Sequence, residues 1–230
     1  MAPRHQFHAI DQLPGRIPVF PLARALVLPG LQLPLNIFEP RYLAMVDDCL
    51  GQDRVIGMIQ PHAVQADDAV PAGAGGLDRP ALYQIGCLAR LTSFRETGDG
   101  RYLITLDGIC RFRIIDELPV TTLYRQVLAG YQEFAQDLQP ATSIATDRDK
   151  LLQHLKQYLA HQGLSADWKA IEAATTEALV NSLTLSCPFE ISEKQALLEA
   201  PDPTARANIL LTLIQMASSG PSDPQETPLQ

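Results

Sequence analysis

The sequence predicts an α+β fold in which a β-rich part comes first and a helical part follows. Apolar residues alternate with a period of two as far as about residue 133, and they recur at helical spacing from about residue 150. Strands in one half and helices in the other are typical of α+β proteins. We expect a flexible N-terminus over 1–16, a β-rich subdomain over 17–138, a helical subdomain over 139–217 and a disordered tail over 218–230.

The first clear strand runs from Leu31 to Ile37, where leucines alternate with polar residues and proline. Pro34 lies inside this run and has no N–H to donate to a neighbouring strand. The strand is therefore predicted at a sheet edge or beside a bulge. Glu39 and Pro40 then predict a helix start, because proline is well suited to the first helical position.

The remaining strands are predicted from alternating apolar residues between turn signals. A loop rich in Pro, Ala, Gly and Asp over 61–81 separates the strand 54–60 from the strand 82–95. Gly98, Asp99 and Gly100 supply the turn of the clearest hairpin. Gly108 predicts a bulge or a close approach of two backbone segments. The predicted strands are 54–60, 82–95, 101–117 and 123–134.

Four helices are predicted in the second half from their apolar spacing and their capping residues. Gly163 ends the first helix, and Cys187 with Pro188 ends the second. Ser192 fits a capping box for a short third helix. The predicted starts lie at 146–149, Asp167, Ser192 and Asp202.

Composition counts against several classes of function. The chain of 230 residues carries a formal net charge of −8, so binding of nucleic acid through basic residues is not expected. Its apolar runs are shorter than the ~18–20 residues that span a bilayer. Residues 1–16 lack the apolar centre of a signal peptide. We expect a cytoplasmic chain with no membrane partner.

Catalytic and cofactor motifs are absent from the sequence. It contains no Walker pattern, no G-x-S-x-G and no H-E-x-x-H, so we expect neither a cofactor nor a metal site. Its cysteines lie in apolar settings, which predicts buried thiols: Cys49, Cys87, Cys110 and Cys187. Its lysines occupy polar helical positions, which predicts solvated side chains: Lys150, Lys156, Lys169 and Lys194.

Several arginine and aromatic residues are candidates for contacts with a polypeptide partner. Such side chains combine apolar area with directed hydrogen bonds. A structural role is an open alternative for each of them, since aromatics can pack the junction between strand and helix and Glu39 can pair with a nearby arginine. The candidates are Phe38, Glu39, Arg41, Tyr42, Arg111, Arg113 and Trp168.

The order of these motifs resembles the N-terminal domain of Lon protease. FPL, LPG and LPLNIFEPRY between Phe20 and Tyr42 carry the resemblance. Gly86-Cys-Leu-Ala89, Gly108-Ile-Cys-Arg-Phe112 and Glu193-Lys-Gln-Ala-Leu-Leu198 continue it in the expected order, so that it covers about 17–216. The resemblance implies a PUA-like β-barrel or pseudo-barrel followed by a C-terminal helical bundle.

The resemblance also implies a function. Neither an ATPase nor a serine–lysine protease sequence follows the helices, so the chain resembles the stand-alone bacterial Lon-domain proteins. The expected role is therefore non-catalytic binding of unfolded or partner polypeptides. RNA binding through the PUA-like domain and accessory action with a separate ATP-dependent protease or chaperone stay open. An ATP-dependent peptidase activity of the chain itself is not expected.

Overall fold

A computed structural model describes residues 7–62, 80–139 and 144–219. The chain divides into two compact units. The first comprises Met1–Ala141 and Cys187–Glu199, and the second comprises Thr142–Ser186 and Ala200–Gln230. Strands lie in the first unit and most helices in the second, so the predicted α+β class is confirmed.

The first unit contains a six-stranded sheet in the order β2-β5-β4-β3-β1-β6. A further pairing of β5 with β6 closes five of these strands into a ring, and β2 is attached outside the ring to the N-terminal half of β5. The strands are β1 (Arg16–Pro21), β2 (Gln32–Ile37), β3 (Val55–Ile59), β4 (Ile85–Glu96), β5 (Tyr102–Glu117) and β6 (Arg125–Gly130).

The long hairpin of β4 and β5 contains the predicted irregularity near Gly108. Leu88 pairs with Cys110 and Ala89 pairs with Gly108, so Ile109 is an extra residue in β5. Such a bulge bends its strand and increases the local twist. The sheet packs buried apolar side chains with at most 2% exposure, among them Ile17, Ile56, Leu88, Leu106 and Phe112.

Two helices complete the first unit. Helix α1 (Pro40–Leu50) begins at Pro40 as predicted, and it turns Met45, Val46 and Cys49 toward the core. The later helix α5 (Ile191–Glu199) packs beside β4. The backbone N–H of Glu190 donates to the Glu193 carboxylate at 2.8 Å. The capping box predicted at Ser192 was wrong, because Ser192 lies inside the helix that Glu190 precedes.

The second unit contains four helices, of which α6 packs against α2 and α4. One predicted helix is divided into α3 and α4, because Ala174 has an extended backbone and the Thr175 hydroxyl accepts a hydrogen bond from the N–H of Ala178. That bond gives α4 its own N-cap. The helices are α2 (Arg148–His161), α3 (Trp168–Ala173), α4 (Thr176–Ser186) and α6 (Pro203–Ser219).

The two compact units differ from the subdomains expected from the sequence in one respect. The expected break at 138/139 lies close to the break after Ala141, but the segment Cys187–Glu199 belongs with the sheet rather than with the other helices. Residues 63–79 of the predicted loop and 220–230 of the predicted tail lie outside the described residues, as do residues 1–6.

Candidate functional site

Two exposed and two partly exposed side chains lie at the connection from β2 to α1 and at the facing start of β5. We call them the junction surface: Phe38, Glu39, Arg41 and Arg101. Ile37 pairs with Tyr102 in the β2–β5 register, so Phe38 lies opposite Arg101 at the end of the strands. The guanidinium carbon of Arg101 lies 5.9 Å from the centre of the Phe38 ring. Phe38 nevertheless remains 61% exposed, which is high for a phenylalanine.

Glu39 and Arg41 form an exposed ion pair beside Phe38. Glu39 precedes α1 with an extended backbone, and its carboxylate makes no hydrogen bond to the helix N-terminus. It instead accepts from Nε of Arg41 at 2.9 Å, and Nη2 of Arg41 lies 2.7 Å from the same oxygen. The structural alternative considered for Glu39, pairing with a nearby arginine, is therefore present, and both side chains remain about 40% exposed.

Tyr42 holds the junction from below and is only 5% exposed. Its ring lies 4.1 Å from that of Phe20, and its hydroxyl donates to the Pro21 carbonyl at 3.4 Å. The Arg41 guanidinium stacks on the same ring at 4.6 Å. Burial raises the pKa of Tyr42. Tyr42 thus fixes α1 against β1 and positions Arg41 above it.

The opposite face of the β4–β5 hairpin carries a second exposed aromatic residue, which was not predicted from the sequence. Phe94 is 38% exposed and packs edge-on against Tyr102 at 4.9 Å. The hydroxyl of Tyr102 donates to Asp47 at 3.0 Å, and that of Tyr124 donates to Asp48 at 2.7 Å. Asp47 and Asp48 of α1 are both exposed, and each carboxylate accepts one tyrosine hydroxyl. The alternation of side chains along β4 is the sequence signal that could have identified Phe94.

Arg111 and Arg113 lie two residues apart on the same face of β5, but they differ in exposure. Arg111 is 2% exposed, because the 3₁₀ turns over Gln132–Leu138 cover it. Its Nε and Nη2 donate to the two oxygens of Asp137 at 2.8 Å each, and Nη1 donates to the Leu198 carbonyl at 3.2 Å. Arg111 is therefore an internal support and is not accessible to a partner.

Arg113 is partly exposed, and its Nη2 donates to Glu133 at 2.8 Å. This hydrogen bond lowers the pKa of the Glu133 carboxyl. Neither Arg111 nor Arg113 contributes to the junction surface, and each pairs with a carboxylate of the same 3₁₀ segment. The two arginines therefore do not form a row of solvated positive charges along β5.

Trp168 lies in the second unit as the first residue of α3 and is half-buried. The Asp167 carboxylate caps this helix, since it accepts from the N–H groups of Lys169 and Ala170 at 3.1 and 3.2 Å. The ammonium of Lys156 lies 5.1 Å from the Trp168 ring centre. These contacts are local, and they leave part of the indole exposed.

Several titratable side chains are buried in the described part of the chain. The predicted burial of the cysteines is confirmed, and it raises the pKa of Cys49 and Cys110 to about 12 and that of Cys187 to about 11. Lys194 contradicts the expectation of a solvated lysine: it is 5% exposed, and burial lowers its pKa.

The described residues contain neither a metal-binding cluster nor a membrane-spanning helix. In 7–62, 80–139 and 144–219, no group of three or more His, Cys, Asp or Glu side chains is arranged to hold a metal ion. No helix in those ranges has the length and apolar character needed to cross a membrane.

Relatives in sequence are Lon proteases. The chain is 25% identical over 208 residues to Lon protease 2 of Myxococcus xanthus, and the match covers 89% of this chain and 24% of that protein. It is 23% identical over 206 residues to Lon protease of Anaeromyxobacter dehalogenans, with 89% and 23% covered. The chain therefore spans about a quarter of the length of these curated relatives.

Two solved structures with the same fold are matched over almost their whole length. A Lon N-terminal domain protein from Xanthomonas campestris matches 86% of this chain and 97% of its own at 21% identity, with a TM-score of 0.55. The N-terminal domain of Lon protease from Mycobacterium avium complex matches 89% and 98% at 17% identity, with a TM-score of 0.57.

A family model described as the substrate-binding domain of ATP-dependent protease La (LON) matches residues 16–216. The matched range includes all six strands and nearly all of the helical residues described above. The chain belongs to the LON substrate-binding domain family.

Proposed function

We propose that the chain binds unfolded or partner polypeptides through the junction surface and performs no catalysis itself. The family description supports binding of a substrate, and the proteolytic relatives indicate that this substrate is a polypeptide. Accessory action with a separate protease or chaperone is compatible with this role. ATP hydrolysis and peptide cleavage have no identified residues in the described part of the chain.

The exposure of Phe38 is the observation that carries the proposal. A phenylalanine that stays 61% exposed at a structured position costs solvation free energy that a partner would recover on binding. Aromatic side chains are frequent anchors of binding energy at interfaces. Phe38 also lies between two fixed elements, the end of β2 and the start of α1, so little backbone freedom remains to be lost on binding.

The charged groups of the junction surface provide polar contacts around this anchor. Arg41 and Arg101 keep 39% and 52% of their side chains exposed, and each pairs with an exposed carboxylate, that of Glu39 and that of Asp99. Exposed ion pairs of this kind contribute little to stability, so their arginines can exchange partners at low cost. Tyr42 takes the role of a positioning residue beneath them.

Two further residues remain predicted contacts. Arg113 is partly exposed, and Trp168 is half-buried in the second unit. RNA binding, the alternative expected from a PUA-like domain, gains no support, because the Arg111 side chain is buried against Asp137 and Arg113 pairs with Glu133. The net charge of −8 also opposes association with phosphates.

The decisive experiment is binding to a permanently unfolded protein, for which reduced and carboxymethylated α-lactalbumin is a suitable probe. We expect the Phe38→Ala variant to weaken binding about tenfold, the usual effect of losing one aromatic anchor. The matched control is Ile115→Ala, since Ile115 is an equally exposed apolar residue of β5 at 60%. Equal losses in the two variants would contradict the proposed surface.

Catalysis is tested separately with the purified chain. We expect neither release of phosphate from ATP nor degradation of casein, with or without the unfolded probe. Activity that copurifies with the chain through several columns, and that a variant of the chain alters, would overturn the non-catalytic assignment.

A further inference from the structure

The outer side of β2 is an edge of the sheet in the described part of the chain. Among the described residues, β2 pairs with β5 alone, whereas β6 returns to β5 and closes the other five strands. Gln32, Pro34 and Asn36 are all exposed. An open strand edge of this kind normally accepts a further strand, either from a second copy or from an extended polypeptide.

The hydrogen-bonding pattern shows which backbone groups point outward. The N–H of Gly108 donates to the Leu31 carbonyl at 2.8 Å, so the carbonyl of Leu31 faces β5. Backbone direction alternates along a strand. The N–H and C=O groups of the odd residues 33, 35 and 37 therefore face β5, and those of Gln32, Pro34 and Asn36 face away from it.

Pro34 consequently stands at the centre of the outward row with no N–H to offer. A strand that added to β2 would place one of its carbonyls opposite the proline ring, where that carbonyl loses water and gains no donor. A lost hydrogen bond of this kind is unfavourable even at a partly exposed edge. Proline at an edge strand is a known protection against pairing with other chains.

We propose that Pro34 closes the outer edge of β2, so that a polypeptide reaching the adjacent junction surface binds through side chains and does not lengthen the sheet. The closed edge follows from the register alone. The mode of polypeptide binding rests in addition on the proposed function. Phe38 and Arg41 lie just beyond the closed edge, where an extended segment can contact them without pairing with β2.

The closed edge is tested by restoring the missing donor. The Pro34→Thr variant adds one outward N–H, and Asn36→Thr makes a similar gain in β-propensity without adding a donor. By sedimentation velocity across a wide concentration range, we expect Pro34→Thr to self-associate more tightly than both the wild-type chain and Asn36→Thr. Equal behaviour of the two variants would overturn the closed edge, and circular dichroism confirms that both are folded.

The binding mode is tested with a synthetic peptide of one phenylalanine flanked by alternating valine and serine, and with a copy N-methylated at alternate amides. Side-chain docking predicts that the wild-type chain binds both with similar affinity. Loss of binding on N-methylation would show strand addition and overturn the proposal. If neither peptide nor unfolded α-lactalbumin binds, the proposed function fails, and the comparison of Pro34→Thr with Asn36→Thr still decides the closed edge.

Discussion

The backbone of Gly108 runs directly against the carbonyl group of Leu28. A Cβ atom built on Gly108 would lie 2.1 Å from the Leu28 oxygen and 2.7 Å from its carbonyl carbon. Gly108 also exchanges hydrogen bonds with the same connection, since its N–H donates to Leu31 and its C=O accepts from Gly30. The absence of a side chain at this position thus lets the segment before β2 lie against β5.

Substitution of Gly108 by alanine is expected to destabilise the chain by about 2–3 kcal/mol, because backbone rather than a movable side chain occupies the space. The control is Gly98→Ala, where nothing lies within 4 Å of the added methyl group, and we expect a change within about 0.5 kcal/mol. Urea denaturation measures both. Similar urea midpoints for the two variants would show that the segment before β2 shifts easily to make room for the added methyl group.

Removal of one partner from the Arg111–Asp137 pair is expected to cost about 3–5 kcal/mol, since the other charge would remain buried and unpaired. Asp137→Ala is the variant to measure by chemical denaturation. Glu133→Ala breaks the neighbouring exposed pair with Arg113, and its effect should stay within about 1 kcal/mol. A smaller loss from Asp137→Ala than from Glu133→Ala would contradict the structural role of Arg111.

The amides of Gln60 and Gln195 attach α5 to the sheet. Nε2 of Gln60 donates to the Ile191 carbonyl and to Oε1 of Gln195 at 3.1 Å each, and Nε2 of Gln195 donates to the Ile85 carbonyl at 2.9 Å. Gln60→Ala should cost about 1–3 kcal/mol through lost and unsatisfied hydrogen bonds.

Hydrogen exchange locates the effect of this substitution. We expect Gln60→Ala to speed amide exchange within α5 more than within β6, because the lost bonds hold α5. Gln52→Ala, which changes an exposed glutamine after α1, is the control and should leave exchange in α5 unaltered. Uniformly faster exchange throughout the first unit would point to general destabilisation instead.

Alkaline pH should lower the stability of the chain through its thiols. Unfolded cysteine ionises near pH 8.5, whereas burial raises the folded pKa of Cys49 to about 12 and that of Cys187 to about 11. The unfolded state therefore loses protons first. The free energy of unfolding falls as pH rises above about 8.5, by up to about 1.4 kcal/mol per pH unit for each such thiol.

Urea denaturation in the presence of a reductant at a series of alkaline pH values tests this slope. Cys49→Ala should make the dependence on pH shallower, whatever its effect on stability at neutral pH. A slope that is the same with and without Cys49 would show that its thiol titrates alike in both states.

The sequence predicted the strand β2, the start of α1 and the bulge region of β5 because each depends on local chemistry. Pro34, Pro40 and Gly108 restrict the backbone whatever the rest of the chain does. The break between α3 and α4 was not predicted, since Thr175 suits a helix interior almost as well as an N-cap.

The candidate site was predicted less completely, because burial depends on segments that are distant in sequence. Arg111 and Arg113 were both candidates for contacts with a partner. The 3₁₀ turns some twenty residues later cover Arg111 and leave Arg113 partly exposed. Lys194 is buried for a similar reason, since α5 packs with the sheet. Phe38 could be selected as a candidate from the sequence because β2 and the start of α1, which flank it, are adjacent in sequence.

Because Cys187–Glu199 belongs to the first unit, that unit is completed only late in synthesis. The Leu198 carbonyl that accepts from Arg111, and the α5 groups that hold Gln60, are translated long after β6. The ring of strands can form on the ribosome before then, but its polar attachments wait until residue 199 has left the exit tunnel. A nascent chain whose first 139 residues have emerged from the tunnel would therefore carry Arg111 and Gln60 without these later partners.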